Sequence, residues 1–586
     1  MQVQKTFQRQ ALTLAHGRFR LRQVVYVCDH RCEPEGLLVT RRAPALRELV
    51  PPKSTVGYDI LVYVGMERFV GHHQREEIRA TLAKEHGIHL SSGEISELGQ
   101  RFVIYLEALH RDSAPALRAA LAADGGWPLH LDATGEDGRG TLLVAYAGWR
   151  RWVLGAWKIP TERTEAILPK LEQVAAQFGP PCAIMRDLGR AVSEAASGLA
   201  KTLGLSIPVL ACHLHFLRDV GTDLLRDAHD KLRSLFRQMD VRKDLRWFAR
   251  EQGRRLGTAL DQARDEFRIW QSEPLAEPRL PEGSAGMVAV RSLAQWVLDY
   301  AADGNDQGFP FDLPYLDLYV RCLHAAWAVE GFLRHPPADQ KVVKALQRLD
   351  RILRPIDGDV SPLDQVAKTL SERAKLFTEL RDALRLREGE PGGPDAGQSV
   401  ETLRDIRQAV DDLADSLRQR RPERGPAKDA RQAIDIVLAH LERHGNFLWG
   451  HAILMPDQLG GGTRLVDRTN NILEGFFHTM KHGERRRSGR KDLAQDFERL
   501  PPAAALAANL TRPDYVSIVC GGSLDQLPQA FARLDAGDRR RSLAARSTNG
   551  KPSCDVEGAS LNAMDRRLVR TKQLERCVLA AAGCHA

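Results

Sequence analysis

The chain has 586 residues, with 84 Lys and Arg against 76 Asp and Glu and a formal net charge of +8. That length exceeds one ordinary core and predicts several domains, while the modest basic excess is compatible with a polyanionic partner without requiring one. No apolar run nears the length that spans a bilayer, about 20 residues, the polar start Met1-Gln-Val-Gln-Lys-Thr lacks a leader's apolar stretch, and the nine cysteines are scattered, so a membrane span is excluded and a reducing, cytoplasmic setting is expected.

Residues 1–52 read as a small β-rich module: Phe19 to Val27 is a strand that runs into Cys28-Asp-His-Arg-Cys32, and Pro51-Pro52 closes the unit. Cys28 and Cys32, with His30 between them, are either the first half of a degenerate zinc ribbon whose second ligand pair is missing or simply two thiols. Residues 53–112 carry three helical signals, Tyr58 to Phe69, Gln74 to His86 and Ser91 to His110. A helix, a short Gly-containing turn and a Ser-capped second helix is the layout of a helix-turn-helix. Its second helix bears Glu94, Ser96, Glu97 and Gln100, so a groove-reading role and a scaffolding or oligomerisation role both stand.

Between 125 and 220 the pattern changes. Leu129 to Ala133, Thr141 to Ala147 and Trp152 to Ile159 read as three short strands of a meander joined by Gly-containing turns, followed by a helix from Thr161 to Phe178, a buried strand Cys182 to Arg186, a helix from Ala191 to Leu203 and a strand Ile207 to Cys212. This predicts a mixed α/β sheet with right-handed crossovers. Residues 221–450 read as an all-helical block with segments such as Asp223 to Gln238, Ser292 to Tyr300, Leu316 to Phe332, Lys341 to Leu353 and Ala430 to His444, interrupted by linker-like stretches at Glu388 to Ser399 and Arg418 to Lys428. Helices return over 465–530, one of them starting near Thr469, and 535–586 reads as a basic, loosely ordered tail containing Arg539 to Arg541 and Arg566, Arg567 and Arg570. The fold class expected is a helix-rich, multidomain α+β protein.

Asp132 and Asp187 fall at the ends of the first and fourth core strands. If those strands lie side by side and parallel, the two carboxylates converge at one sheet edge, where their repulsion calls for a hard, oxygen-seeking cation such as Mg2+. Glu474, on the helix that starts near Thr469, is the candidate third ligand. Two ions held about 4 Å apart can activate an attacking oxygen and stabilise a leaving one, so phosphoryl transfer needs no covalent nucleophile. Taken singly, each aspartate reads equally as a turn or capping residue and Glu474 as a solvated helix residue. Glu474, Phe477, Lys481 and Arg485 recur at helical spacing, and Lys481 with Arg485, Arg486, Arg487, Arg490 and Lys491 reads either as a set of phosphate contacts or as a solvated charge run.

Leu131-Asp132-Ala-Thr134, Arg186-Asp187-Leu-Gly, Cys212-His-Leu-His215 and Thr469-Asn470-Asn471-Ile-Leu-Glu474 with Lys481 beyond it resemble the pattern of DDE transposases, in particular the Mutator-like group of bacterial insertion sequences. The resemblance covers roughly residues 127–220 and 465–510. It implies an RNase H-like core interrupted by a helical insertion, with Asp132, Asp187 and Glu474 as the catalytic, metal-binding acids and two Mg2+ or Mn2+ ions as cofactors. Cys212, His215, Asn470 and Asn471 are then near-site residues. It also implies transposition and recombination of a mobile element on double-stranded DNA, with element ends and target as partners, a homo-oligomer on DNA, and association with the nucleoid when bound. In that setting Trp270, Trp296 and Trp327 of the helical block are either core residues or include one that stacks on a flipped base. An RNase H-like nuclease that cuts without joining, and a DNA-binding regulator derived from a transposase, are the alternatives.

Overall fold

The computed structural model describes residues 2–28, 40–43, 45–136, 138–272, 283–301, 308–356, 361–386, 398–425 and 427–548. The chain divides into two compact units, one formed by residues 1–210 together with 450–586 and the other by residues 211–449. The structure is helix-rich with small sheets, an α+β architecture. Among the described residues no helix is long and apolar enough to cross a membrane.

The first unit opens on a three-stranded antiparallel sheet of β1 (Gln2–Thr13), β2 (Gly17–Val27) and β3 (Thr40–Arg42). β2 lies where the sequence predicts a strand; β1 goes unread because most of its side chains are exposed and polar, leaving no apolar alternation to see. Of the Cys28–Cys32 motif only Cys28 is described, so the zinc question lies outside the described residues. Helices Tyr58–Phe69, Arg75–His86 and Ser92–Asp112 follow within a residue or two of expectation. Ser91 caps the third: its hydroxyl accepts from the Glu94 N–H while the Glu94 carboxylate accepts from the Ser91 N–H, satisfying orphan donors at both ends of the first turn. One face of that helix is core, burying Ile95, Leu98, Phe102, Val103, Leu106 and Leu109. Its Glu94, Glu97 and Gln100 face solvent, and Ser96 is half-buried. The Tyr58 and Tyr105 hydroxyls both donate to the buried Asp535 carboxylate, the latter at 2.9 Å.

The central five-stranded sheet comprises β4 (Pro128–Glu136), β5 (Arg139–Ala147), β6 (Trp152–Lys158), β7 (Ala183–Arg186) and β8 (Val209–Ala211), in the order β6-β5-β4-β7-β8. β4, β5 and β6 are an antiparallel meander, and β7 joins β4 in parallel. The parallel pairing is possible because the helix Thr164–Phe178 carries the chain back across the sheet. The inner strands are almost wholly buried, with Leu129, Leu131, Leu143, Val144, Ala145 and Ile184 within the core. After residue 450 the unit adds a short hairpin of β9 (Ala452–Leu454) and β10 (Thr463–Leu465), then helices Asn471–Ser488, Ala494–Arg499, Pro513–Cys520 and Leu527–Thr548 and a 3-10 segment Pro502–Thr511. The last helix runs through Asp535, where a loose tail is expected from sequence, and Arg566, Arg567 and Arg570 lie outside the described residues.

The second unit is all helical among its described residues once past the end of β8, from His213–Gln238 to Lys428–His444 and a closing 3-10 turn. Its first helix starts ten residues before the expected Asp223, directly at Cys212, which is its N-cap residue and not the last residue of a strand. Pro314–Arg334, Gln340–Leu353 and Lys428–His444 match their predicted segments closely. Trp270, Trp296 and Trp327 are 41%, 40% and 55% exposed, which corrects the reading of these residues as core: their helices bury the neighbouring small and aliphatic positions instead.

Candidate active site

In the parallel ladder Leu131 pairs with Arg186, so Asp132 and Asp187 are the next residues on two adjacent strands pointing the same way. The sheet therefore brings both aspartates side by side: Asp187 follows the last residue of β7 as the sequence predicts, whereas Asp132 is the fifth residue of β4, which runs on to Glu136 instead of ending at Ala133. Asp132 is buried, 9% exposed, and its Oδ1 accepts the Ala133 N–H at 2.8 Å. Asp187 leads into the helix Arg190–Leu203, and its Oδ1 accepts the Gly189 N–H at 3.1 Å.

Glu474 comes from the first turn of the helix Asn471–Ser488. Asn470, fully buried at the N-cap position, fastens that helix to β4: its Nδ2 donates to the Leu131 carbonyl at 3.3 Å and its Oδ1 meets His130 Nδ1 at 3.0 Å. These two contacts flank the backbone just before Asp132 and set the first helical turn against the strand tip. Close packing supports them, because a Cβ at Gly148 would come within 2.6 Å of the His130 ring. Thr469 is also fully buried, and Asn471 stands one residue into the helix, half-buried.

The carboxylates feel one another. Burial first, then the charges of Asp187, Glu474 and Glu162, push the Asp132 carboxyl up to about 7, against the pull of the Ala133 N–H. Glu162 is likewise raised, by burial and by Asp187. Glu162 carries no motif and is missed by sequence reasoning. The signal that could have found it is topological: β6 runs in the same direction as β4, so the loop just past its end opens on the same sheet edge. Arg186 sits beside this group, its guanidinium lowered by burial and raised in turn by Asp187.

The donor set, all carboxylate oxygen and partly buried, suits a hard divalent cation in kind. As the side chains stand, no three His, Cys, Asp or Glu among the described residues are close enough to hold one ion between them.

The basic run is tied into the fold. Lys481 Nζ donates to the Gly135 carbonyl at 2.8 Å and pairs with Glu136 at 3.4 Å, and Arg485 pairs with the same carboxylate at 3.1 Å. Arg487 bridges buried Glu484 and Asp496, both at 2.7 Å, and Arg490 approaches Asp496 at 3.6 Å. Arg486 donates to the Gly71 carbonyl at 2.8 Å. Glu484 also takes Arg68 at 3.1 Å, linking the helix Tyr58–Phe69 to the helix that bears Glu474. Arg485, Arg486, Arg490 and Lys491 retain exposed surface; Lys481 and Arg487 are half-buried. Cys212 and His215 belong to the second unit, Cys212 fully buried and His215 half-buried in the first helical turn.

No protein-family model matches the sequence, and no curated protein matches it significantly.

Proposed function

We propose that the chain is a DDE-type DNA transposase with an RNase H-like core, acting on double-stranded DNA as a homo-oligomer and associated with the nucleoid when bound. The observation that carries this reading is the sheet edge itself: Asp132 and Asp187 on adjacent parallel strands, with Glu474 on a helix pinned there by Asn470, close enough for each charge to oppose ionisation of Asp132. The strand order, an antiparallel meander whose first strand is joined in parallel by the fourth, is the arrangement an RNase H-like core requires. A first unit made of two chain segments that flank a helical second unit in sequence agrees with an inserted domain.

In this reading Asp132, Asp187 and Glu474 hold two Mg2+ or Mn2+ ions, with Glu162 as a further carboxylate at the same edge. Divalent ions bound there supply Lewis-acid activation of a water or 3′-hydroxyl and stabilisation of the leaving oxygen. The chain's own residues fix the acids in place: the β4–β7 ladder sets the aspartate pair, Asn470 sets the helix, and the exposed Arg485, Arg486, Arg490 and Lys491 offer charge to a phosphate backbone. The ion pair of Lys481 and Arg485 with Glu136 means that any phosphate contact by these two competes with an internal carboxylate.

The test is strand transfer of pre-cut, end-bearing DNA duplexes into a target plasmid with Mg2+. Joined products are expected from the native chain, and Asp132→Asn should lower their yield by at least about a hundredfold while leaving DNA binding in place. Cutting without joining would point to the nuclease alternative, and binding without either reaction to a regulator.

A further inference from the structure

The helix Asn471–Ser488 has a second face. Glu474, Lys481 and Arg485 share one side of it, two turns and then one turn apart. The opposite side, through Ile472, Gly475, Phe476, Thr479 and Met480, lines a cavity of about 490 Å3 within the first unit. That volume is in the range of sites for small organic ligands. Much of its wall is apolar, with Phe69, Val70, Leu500, Ala504 and Ala505 among the lining residues. Tyr146 and Phe476 form an aromatic pair there, centroids 6.1 Å apart.

Among the polar side chains of the cavity the two guanidinium groups carry its positive charge, beside the uncharged Tyr146, Asn471, Thr479 and Thr511. Arg151 and Arg512 both line it, Arg151 exposed and Arg512 half-buried. Arg512 and Arg151 both stand near enough to Tyr146 for their charge to act on its phenol. The one carboxylate in the lining, Glu484, is already committed to Arg68 and Arg487. Two of the lining residues, His72 at φ 56° and Arg151 at φ 56°, are non-glycine residues in left-handed backbone, a conformation that costs about 1–3 kcal/mol and concentrates where a side chain must be aimed. His72 is further held by contact with Gly483, where a Cβ would lie 2.3 Å from the imidazole Nδ1.

We infer that this cavity is a binding site for a small organic anion with an aromatic body, its rings between Phe69, Phe476 and Met480 and its single anionic head between Arg151 and Arg512. Charge complementarity selects the head, because two guanidinium groups at an apolar site with no uncommitted carboxylate favour an anion over a neutral or cationic ligand. The apolar walls and the aromatic pair select the body. The site does not involve the acids at the sheet edge, and the inference stands independently of the DNA chemistry proposed above.

The probe is 8-anilinonaphthalene-1-sulfonate, titrated by fluorescence against the full chain, beside its uncharged relative N-phenyl-1-naphthylamine. Saturable binding of one sulfonate per chain is expected, with preference for the sulfonate over the amine. Arg151→Gln with Arg512→Gln should weaken the sulfonate by about tenfold and leave the amine within about twofold. Gly475→Leu places an isobutyl group at the cavity, and a Cβ there meets nothing within 4 Å, so the variant should fold with a melting temperature no lower than that of the native chain and bind neither probe. Displacement by 1-naphthoate or by 1-naphthyl phosphate then tells a carboxylate ligand from a phosphate one. Equal affinity for both probes, sulfonate binding that survives the two arginine replacements or Gly475→Leu, or displacement by neither naphthyl anion would overturn the inference.

Discussion

At Asp132 the fold holds a carboxyl group that is still partly protonated near neutral pH, since burial and the charge of Asp187 both resist its ionisation, with Glu474 and Glu162 adding to them. An unfolded aspartate ionises near 3.8, so above that pH the unfolded chain gains by releasing a proton that the folded chain retains up to about 7. The contribution of this group to metal-free stability is thus fully present below 3.8, falls as pH rises toward about 7 and is level beyond it, the loss capped at about 4 kcal/mol. Asp132→Asn, neutral at every pH, should therefore raise the chelator-treated melting temperature at about pH 8 and leave it unchanged below about pH 4, where native Asp132 is protonated in both states. A melting temperature lowered at about pH 8 would show that the carboxylate is stabilised by neighbours and not opposed by them. Strand-end placement suggested Asp132 together with Asp187, and the likeness to the DDE pattern added Glu474 to them. The same cues could not decide the role of Lys481 or Arg487, because their carboxylate partners are Glu136, far away in the chain, and Glu484 and Asp496, which read locally as surface charge.

For the helix Asn471–Ser488, docking on β4 depends on one buried amide. Asn470→Ala removes the bonds to His130 and Leu131 and should destabilise the protein by about 2–3 kcal/mol in denaturant titrations, a cost typical of losing two buried hydrogen bonds with their partners left behind. A change under about 0.5 kcal/mol, the scale of surface substitutions, would mean that the helix is held there by its apolar face alone. Elements with strong local cues were readable: Ser91 announces the start of its helix, and short apolar runs bounded by Gly-containing turns mark β5 and β6 as strands. Elements without such cues were not. β1 exposes most of its side chains, and the helix from His213 follows the sheet across a single residue, Cys212, so no turn composition separates strand from helix. The exposed Trp327 misleads in the other direction, since its position among alanines reads as core while the helix turns it outward.

Across the whole molecule, each unit buries its own set of apolar side chains. Leu131 in the first unit and Leu349 in the second are both fully buried. Calorimetry should therefore resolve more than one transition, with Leu131→Ala lowering one and Leu349→Ala another, each by a cavity cost of about 2–5 kcal/mol. Parallel shifts of a single transition in both variants would show instead that the units unfold as one. The first unit is also discontinuous, and that has a bearing on its synthesis. His130 lies 340 residues ahead of the asparagine it contacts, and at about 5–20 residues per second a ribosome takes roughly twenty seconds to a minute to cover that distance. Until then the nascent sheet lacks the helices that will close over it, so its apolar face must be sheltered by the translating cell's chaperones or by transient, non-native contacts of its own.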